Sequence, residues 1–131
     1  PFAAPALAAR IEGELTPQDA MSSRLLHLEG KIGWAAWFDM KERAARQTWL
    51  TAGPTFADAR SVLLAAEQGL GIALAPVQFA QPMVDAGTLV PLGTRRWSEA
   101  TRYRMIVNHD PADAAYVLPV RDWLRQRARR P

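Results

Sequence analysis

Between Asp58 and Pro76 the sequence sets down an amphipathic helix, a glycine turn and an apolar strand with almost nothing between them. From Asp58 to Gln68 apolar residues recur at helical spacing, with Val62, Leu63 and Ala66, joined by Ala59, on the inward face. Gly69 stands where a left-handed C-terminal cap belongs. Gly71 to Ala75 then reads GIALA, a continuous apolar run of strand length closed by Pro76. A run without polar alternation is a strand covered on both faces, and such strands belong to α/β sheets with helices on either side.

The rest of the chain keeps the same alternation. Phe2 to Ala4 is extended before Pro5, and Pro5 to Arg10 supplies one or two helical turns. Thr16, Pro17 and Asp19 start a brief helix that ends near Ser22, through a hydroxyl cap, a first-turn proline and a carboxylate at the positive dipole end. Leu25 to Leu28 is a strand. Ile32 to Arg46 has helical spacing, with Trp34, Trp37 and Phe38 on one face as either core or a ligand platform. Thr48 to Ala52 is a β-rich run stopped by Gly53 and Pro54. Val77 to Ala86 is a helix disturbed by Pro82, Leu89 to Leu92 a short strand, and Tyr103 to Val107 another. Asp110 and Pro111 open a last helix with Val117, Val120, Trp123 and Leu124 inward and a kink or delayed start at Pro119. The expected class is therefore α/β, with a mostly parallel sheet flanked by helices.

Composition removes whole classes of chemistry. A chain of 131 residues, 49% apolar and 22% charged, can bury a core without staples. The cysteine count of 0 excludes thiolate zinc sites, redox pairs and thiol nucleophiles. No apolar run is long enough to span a bilayer, so no membrane partner is expected. The net charge of +3 sits at one end: Arg121, Arg125, Arg127, Arg129 and Arg130 cluster against Asp122, and the first 120 residues carry a net charge of −1. Such a cluster reads as a solvated helix end rather than a sequence-reading surface. The chain opens on Pro1 rather than methionine, as a piece of something longer would.

Catalytic patterns find no footing. His27 and His109 stand far apart, with no second ligand at metal-binding spacing, and His109 falls on a loop. Ser22, Ser23, Ser61 and Ser98 occur in no nucleophile elbow, and GLGIAL runs from helix to strand, the reverse of a dinucleotide-binding turn. Neither a metal, nor a cofactor, nor an enzymatic activity is expected. Two places suit binding. His27 lies near the C-terminal end of a strand, where α/β folds receive ligands. The segment Ala52 to Asp58 connects a strand end to a helix N-terminus whose free N–H groups favour an anion, with Thr55 offering a hydroxyl and Phe56 an apolar wall. The alternative is that Thr55 or Asp58 simply caps the helix.

The strings TFADARSVLLAAEQGLGIALAP from Thr55 to Pro76, DAGTLVPL from Asp85 to Leu92, TRYRMIV from Thr101 and VRDWLRQRAR near the end, in this order, resemble the effector-binding domain of LysR-type transcriptional regulators. The W-x-x-W-F segment from Trp34 to Phe38 is similar to the branch of glycine-cleavage and β-lactamase regulators. The resemblance implies a fragment of a two-subdomain effector domain, like the type 2 periplasmic solute-binding proteins. Residues 1–100 would form the second subdomain, and residues 101–131 a strand and helix returning to the first. The N-terminal winged helix-turn-helix and most of the first subdomain would lie outside this chain.

The resemblance further implies a small-molecule effector in the cleft between subdomains, touched by His27, Thr55, Phe56, Ala57, Asp58, Ala59 and Tyr103. Tyr103 joins an apolar ring to a phenol donor, and the alternative is a packed strand tyrosine. Related regulators often carry serine or threonine where Ala59 stands, so effector identity does not transfer. Leu63, Leu64 and Glu67 are the implied dimer contacts, in a cytoplasmic homodimer or tetramer that meets promoter DNA only through the N-terminal domain. The alternative is a lobe of a solute-binding or other small-molecule-binding α/β protein.

Overall fold

The computed structural model describes residues 1–29, 33–40, 47–98, 105–107 and 114–128. The chain divides into two units, Pro1–Trp97 and Ser98–Pro131. In the first, β1 (Phe2–Ala3), β2 (Leu25–Leu28), β3 (Thr55–Phe56), β4 (Ile72–Ala73) and β5 (Val90–Pro91) form one five-stranded sheet in the order β3-β2-β4-β1-β5. The helices are α1 (Pro5–Ala8), α2 (Pro17–Ser22), α3 (Trp34–Trp37), α4 (Ala59–Glu67) and α5 (Val77–Asp85).

Side chains alternate across the strands and divide the core in two. Phe2, Leu26 and Ala73 face the layer of α4 and α5, where Val62, Leu63 and Ala80 meet them. Ala3, Leu25 and Ile72 face the opposite layer, against Ala20, Trp34 and Trp37. The short apolar strands are thus covered on both faces, as GIALA implied. The aromatic stripe resolves as core: Trp34 and Trp37 are buried, and the indole N–H of Trp34 donates to the Leu26 carbonyl at 3.0 Å. Phe38 stacks on Trp34 at 6.0 Å and meets Trp49 edge-on at 5.5 Å.

The sheet is mostly parallel in strand direction, β2, β3, β4 and β5 running the same way, and is made mixed by β1. β2 pairs in parallel with β3 and β4, whereas β1 runs antiparallel to both β4 and β5. Strand direction follows from which residues pair across the ladder, and no local pattern in two-residue strands encodes it. β4 is confined to Ile72–Ala73 and β5 to Val90–Pro91; proline in β5 is tolerable because that strand is at the sheet edge.

Helix boundaries follow their caps. Thr16 and Asp19 form a capping box, Asp19 N–H donating to Thr16 Oγ1 at 3.2 Å and Thr16 N–H to Asp19 Oδ2 at 3.0 Å. At the end of α4, Gly69 adopts φ 75°, and the N–H groups of Gly69 and Leu70 donate to the Ala66 and Ala65 carbonyls at 2.9 and 3.1 Å. The same closure ends α3 without a glycine. Asp39 takes φ 57°, and Asp39 and Met40 N–H donate to Ala36 and Ala35 at 3.2 and 2.7 Å. The continuous helix expected over Ile32 to Arg46 therefore stops at Trp37, because aspartate is among the few side chains that tolerate the left-handed region. Residues 41–46 lie outside the described residues.

Three further expectations are corrected. Thr48 to Ala52 is no strand: Thr48–Leu50 forms a 3-10 turn, with Leu50 N–H donating to Gln47 at 3.0 Å and burying its side chain in the core. The strand lies just beyond, at Thr55–Phe56, where β-propensity yields to pairing with β2. Met105 to Val107 carry no strand, and Tyr103 falls outside the described residues, as do His109, Asp110 and Pro111. In the second unit, α6 (Ala114–Ala128) passes through Pro119 without ending. Val120, Trp123 and Leu124 are exposed on it, Trp123 by 54%, and Val117 is half-buried. The described residues of that unit supply no second layer to cover them.

Candidate functional site at the strand ends

The parallel strands β2, β3 and β4 deliver their C-terminal ends to one edge of the sheet, and α4 starts from that edge immediately after β3. His27 and Thr55 are paired across β2 and β3, as are Leu28 and Phe56. Paired residues point to the same face, so His27 and Thr55 share one side and Leu28 and Phe56 the other. Phe56 accordingly packs against the α4 core, while Thr55 is exposed, its hydroxyl without a hydrogen-bond partner among the described residues.

His27 is fixed from the loop that precedes β3. Its Nε2 lies 3.0 Å from the Ala52 carbonyl oxygen. A carbonyl only accepts, so Nε2 carries the proton in this contact. The loop approaches closely because Gly53 has φ 129°; a Cβ there would strike the Leu25 carbonyl. His27 N–H donates to Pro54 at 2.9 Å and Glu29 N–H to Phe56 at 2.8 Å, which extends the ladder to the edge.

The N-terminus of α4 is closed by its own chain. Asp58 Oδ1 accepts the Ser61 N–H at 2.9 Å, and Oδ2 accepts the Ser61 hydroxyl at 2.8 Å. These bonds, chiefly the one from the Ser61 backbone, hold the Asp58 carboxyl below its ordinary value, with a smaller contribution from the Arg60 charge. Of the two readings of this segment, the cap is realised, by Asp58 rather than Thr55. An anion approaching the helix start would meet a carboxylate. Ala57 is exposed and Ala59 half-buried beside it.

Sequence reasoning passed over Glu29, exposed at the end of β2, and Arg60 in the first turn of α4. The Ala52 carbonyl as the anchor of His27 was also missed, since neither the register nor the loop's path is visible locally. A second carboxylate does a structural task elsewhere: Glu14 Oε1 accepts the N–H groups of Thr94 and Arg95 at 2.6 and 3.0 Å, closing the turn after β5. The proposed interface residues separate by burial. Leu63 is 1% exposed within the core, Leu64 is 42% exposed, and Glu67 is half-buried. Among the described residues no group of three or more His, Asp or Glu side chains could hold a metal, and no helix is long and apolar enough to cross a membrane.

A mixed sheet covered by helices on both faces, with its parallel strands open at one edge, defines a type 2 periplasmic-binding-protein-like α/β fold. Within that class the chain belongs to the LysR substrate binding domain family, whose model matches residues 1–129. The effector domain of the transcriptional regulator AmpR of Pseudomonas aeruginosa is similar in fold, with a TM-score of 0.72 at 24% identity over 97% of this chain and 59% of that one. The AmpR effector binding domain from Citrobacter freundii has a TM-score of 0.58 at 26% identity over 72% of this chain and 45% of that one. The chain thus spans about half the length of the solved domains it matches. No curated protein matches it.

Proposed function

We propose that the chain is the effector-sensing portion of a LysR-type transcriptional regulator, which receives a small metabolite at the strand-end edge and converts its presence into a change in promoter binding. The observation that carries this reading is the family match over residues 1–129. The open C-terminal edge of β2 and β3 supports the location, because such folds take ligands at the carboxyl ends of their parallel strands. In this reading His27, Thr55, Phe56, Ala57, Asp58 and Ala59 supply one wall of the cleft, and Tyr103 adds a phenol from the returning segment. Residues 1–100 act as the second subdomain and 101–131 return to the first, a partition supported by the division between Trp97 and Ser98.

The metabolite acts by binding one arrangement of the subdomains more tightly than another, since a ligand indifferent to the two shifts nothing. The protein works in the cytoplasm as a homodimer or tetramer, meets DNA through a separate N-terminal domain and turns over no substrate. Leu64 and Glu67, on the outer side of α4, contribute to the dimer. The test is promoter binding by the full-length regulator, measured by fluorescence anisotropy with and without a panel of amino acids and small organic acids. A metabolite-dependent change in affinity or in half-site spacing is expected; DNA binding indifferent to every metabolite, or catalytic turnover of one, would overturn the reading.

A further inference from the structure

We infer that residues 93–97 form a strap shut by one carboxylate, and that this strap opens while the sheet of the first unit stays folded. The backbone ladder ends at Leu92, whose N–H donates to the Pro1 carbonyl at 3.0 Å. Beyond it, among the described residues, no backbone hydrogen bond ties residues 93–97 to the rest of the unit. Glu14, in the loop between α1 and α2, takes over that task. Its Oε1 accepts the Thr94 N–H, the Thr94 hydroxyl and the Arg95 N–H at 2.6, 2.9 and 3.0 Å. So close an approach needs Gly93, which has φ 78°, because a Cβ there would meet the Glu14 carboxyl. The second hold is the Arg95 guanidinium, which lies over the Trp37 ring at 4.9 Å from its centre. Arg96 adds none, since its guanidinium donates to the Gly93 and Arg95 carbonyls of the strap itself. Glu14, Thr94, Arg95, Arg96 and Trp97 are all exposed, so water competes for every bond of the clasp. The Trp37 indole N–H is buried without a hydrogen-bond partner, so the ring that Arg95 covers carries an unpaired donor at a cost to the shut state. Ser98 begins the second unit directly after the strap. Release lengthens the connection to that unit by the span of residues 93–97, up to about 17 Å of extended chain.

The test is native-state amide hydrogen exchange of the 131-residue chain in low urea, followed by NMR with no ligand present. Thr94 and Arg95 N–H report the strap. Ile72 N–H, which donates to the Arg24 carbonyl at 2.8 Å, reports the sheet. The strap amides are expected to be roughly tenfold or more less protected than Ile72, and to exchange at a rate independent of urea, because a local opening exposes little surface. Exchange at Ile72 should rise with urea. Equal urea dependence at Thr94, Arg95 and Ile72 would show that the strap opens only with the sheet, which contradicts the device. Glu14→Ala and Gly93→Ala undo the clasp from opposite sides. In either variant Thr94 and Arg95 should lose their remaining protection and the Trp37 indole N–H resonance should move, while the His27 and Ile72 amide resonances stay in place as the mark of a folded sheet. Unchanged exchange at Thr94 and Arg95 in both variants would remove Glu14 as the clasp. Should both variants unfold, the urea series on the parent chain decides alone.

Discussion

His27 and Ala52 are joined across 25 positions of sequence by a hydrogen bond of 3.0 Å from the imidazole Nε2–H to the backbone carbonyl, and this contact moors the loop that feeds β3 to the strand beside it. Replacing His27 by alanine should cost about 0.5–1.5 kcal/mol, the net worth of such a bond at a half-exposed position. Gly53→Ala should cost more, since its new methyl group would drive against the Leu25 carbonyl from a left-handed backbone. Urea denaturation of both variants checks the order. Equal midpoints for Gly53→Ala and the parent would show that the loop does not approach β2 as described.

Trp34 anchors α3 to the sheet through a buried bond to Leu26. Trp34→Phe keeps most of the ring but removes this bond, so a loss of roughly 0.5–1.5 kcal/mol is expected. Differential scanning calorimetry reads the loss as a lower melting temperature.

Adjacent residues on α4 should behave as opposites. Leu63 is buried, and Leu63→Ala is expected to destabilise the unit by about 2–5 kcal/mol. Leu64 is exposed, and Leu64→Arg should leave the folding midpoint within about 0.5 kcal/mol of the parent. In a protein carrying both subdomains, Leu64→Arg should weaken dimerisation in sedimentation equilibrium. An unchanged dimer would remove this face of α4 from the interface.

Glu14 and Asp58 set an acid limit to stability. Hydrogen bonds from the Thr94 backbone and, respectively, the Ser61 backbone hold both carboxyls below their ordinary values in the folded chain. A group with a depressed native value binds its proton more readily when unfolded, so its contribution is complete above the ordinary carboxylate range. It fades as the pH falls through the native value. Urea midpoints should therefore drop on acidification from about pH 7 to pH 3, and drop less in Glu14→Gln and Asp58→Asn. A pH response identical to the parent's in both variants would contradict these bonds.

Much of the fold was legible because its signals are local. Asp58 before α4, Gly69 after it and the Thr16–Asp19 box each act within a turn of the residues they fix. The apolar run around Ile72 announced a strand covered on both faces. What stayed illegible was decided at a distance. Thr48 to Leu50 has β-forming residues, yet Leu50 is drawn into the core as a 3-10 turn, and pairing with β2 places the strand at Thr55 and Phe56 instead. The antiparallel insertion of β1 between β4 and β5 is likewise a matter of partners. Asp39 ended α3 in a role that glycine usually announces. At the candidate site, residue types marked the strand-end segment, but which side chain would cap α4 did not follow from them. The free helix start suggested an anion, and Asp58 had already filled it.

The most direct measurement of the central claim is calorimetric titration of the two-subdomain protein with the metabolite found to alter its promoter binding, repeated on Thr55→Ala. The account predicts a loss of affinity of roughly fivefold, the value of one hydrogen bond of about 1 kcal/mol, with the folding midpoint unchanged. Identical affinity for Thr55→Ala would place the metabolite somewhere other than the ends of β2 and β3.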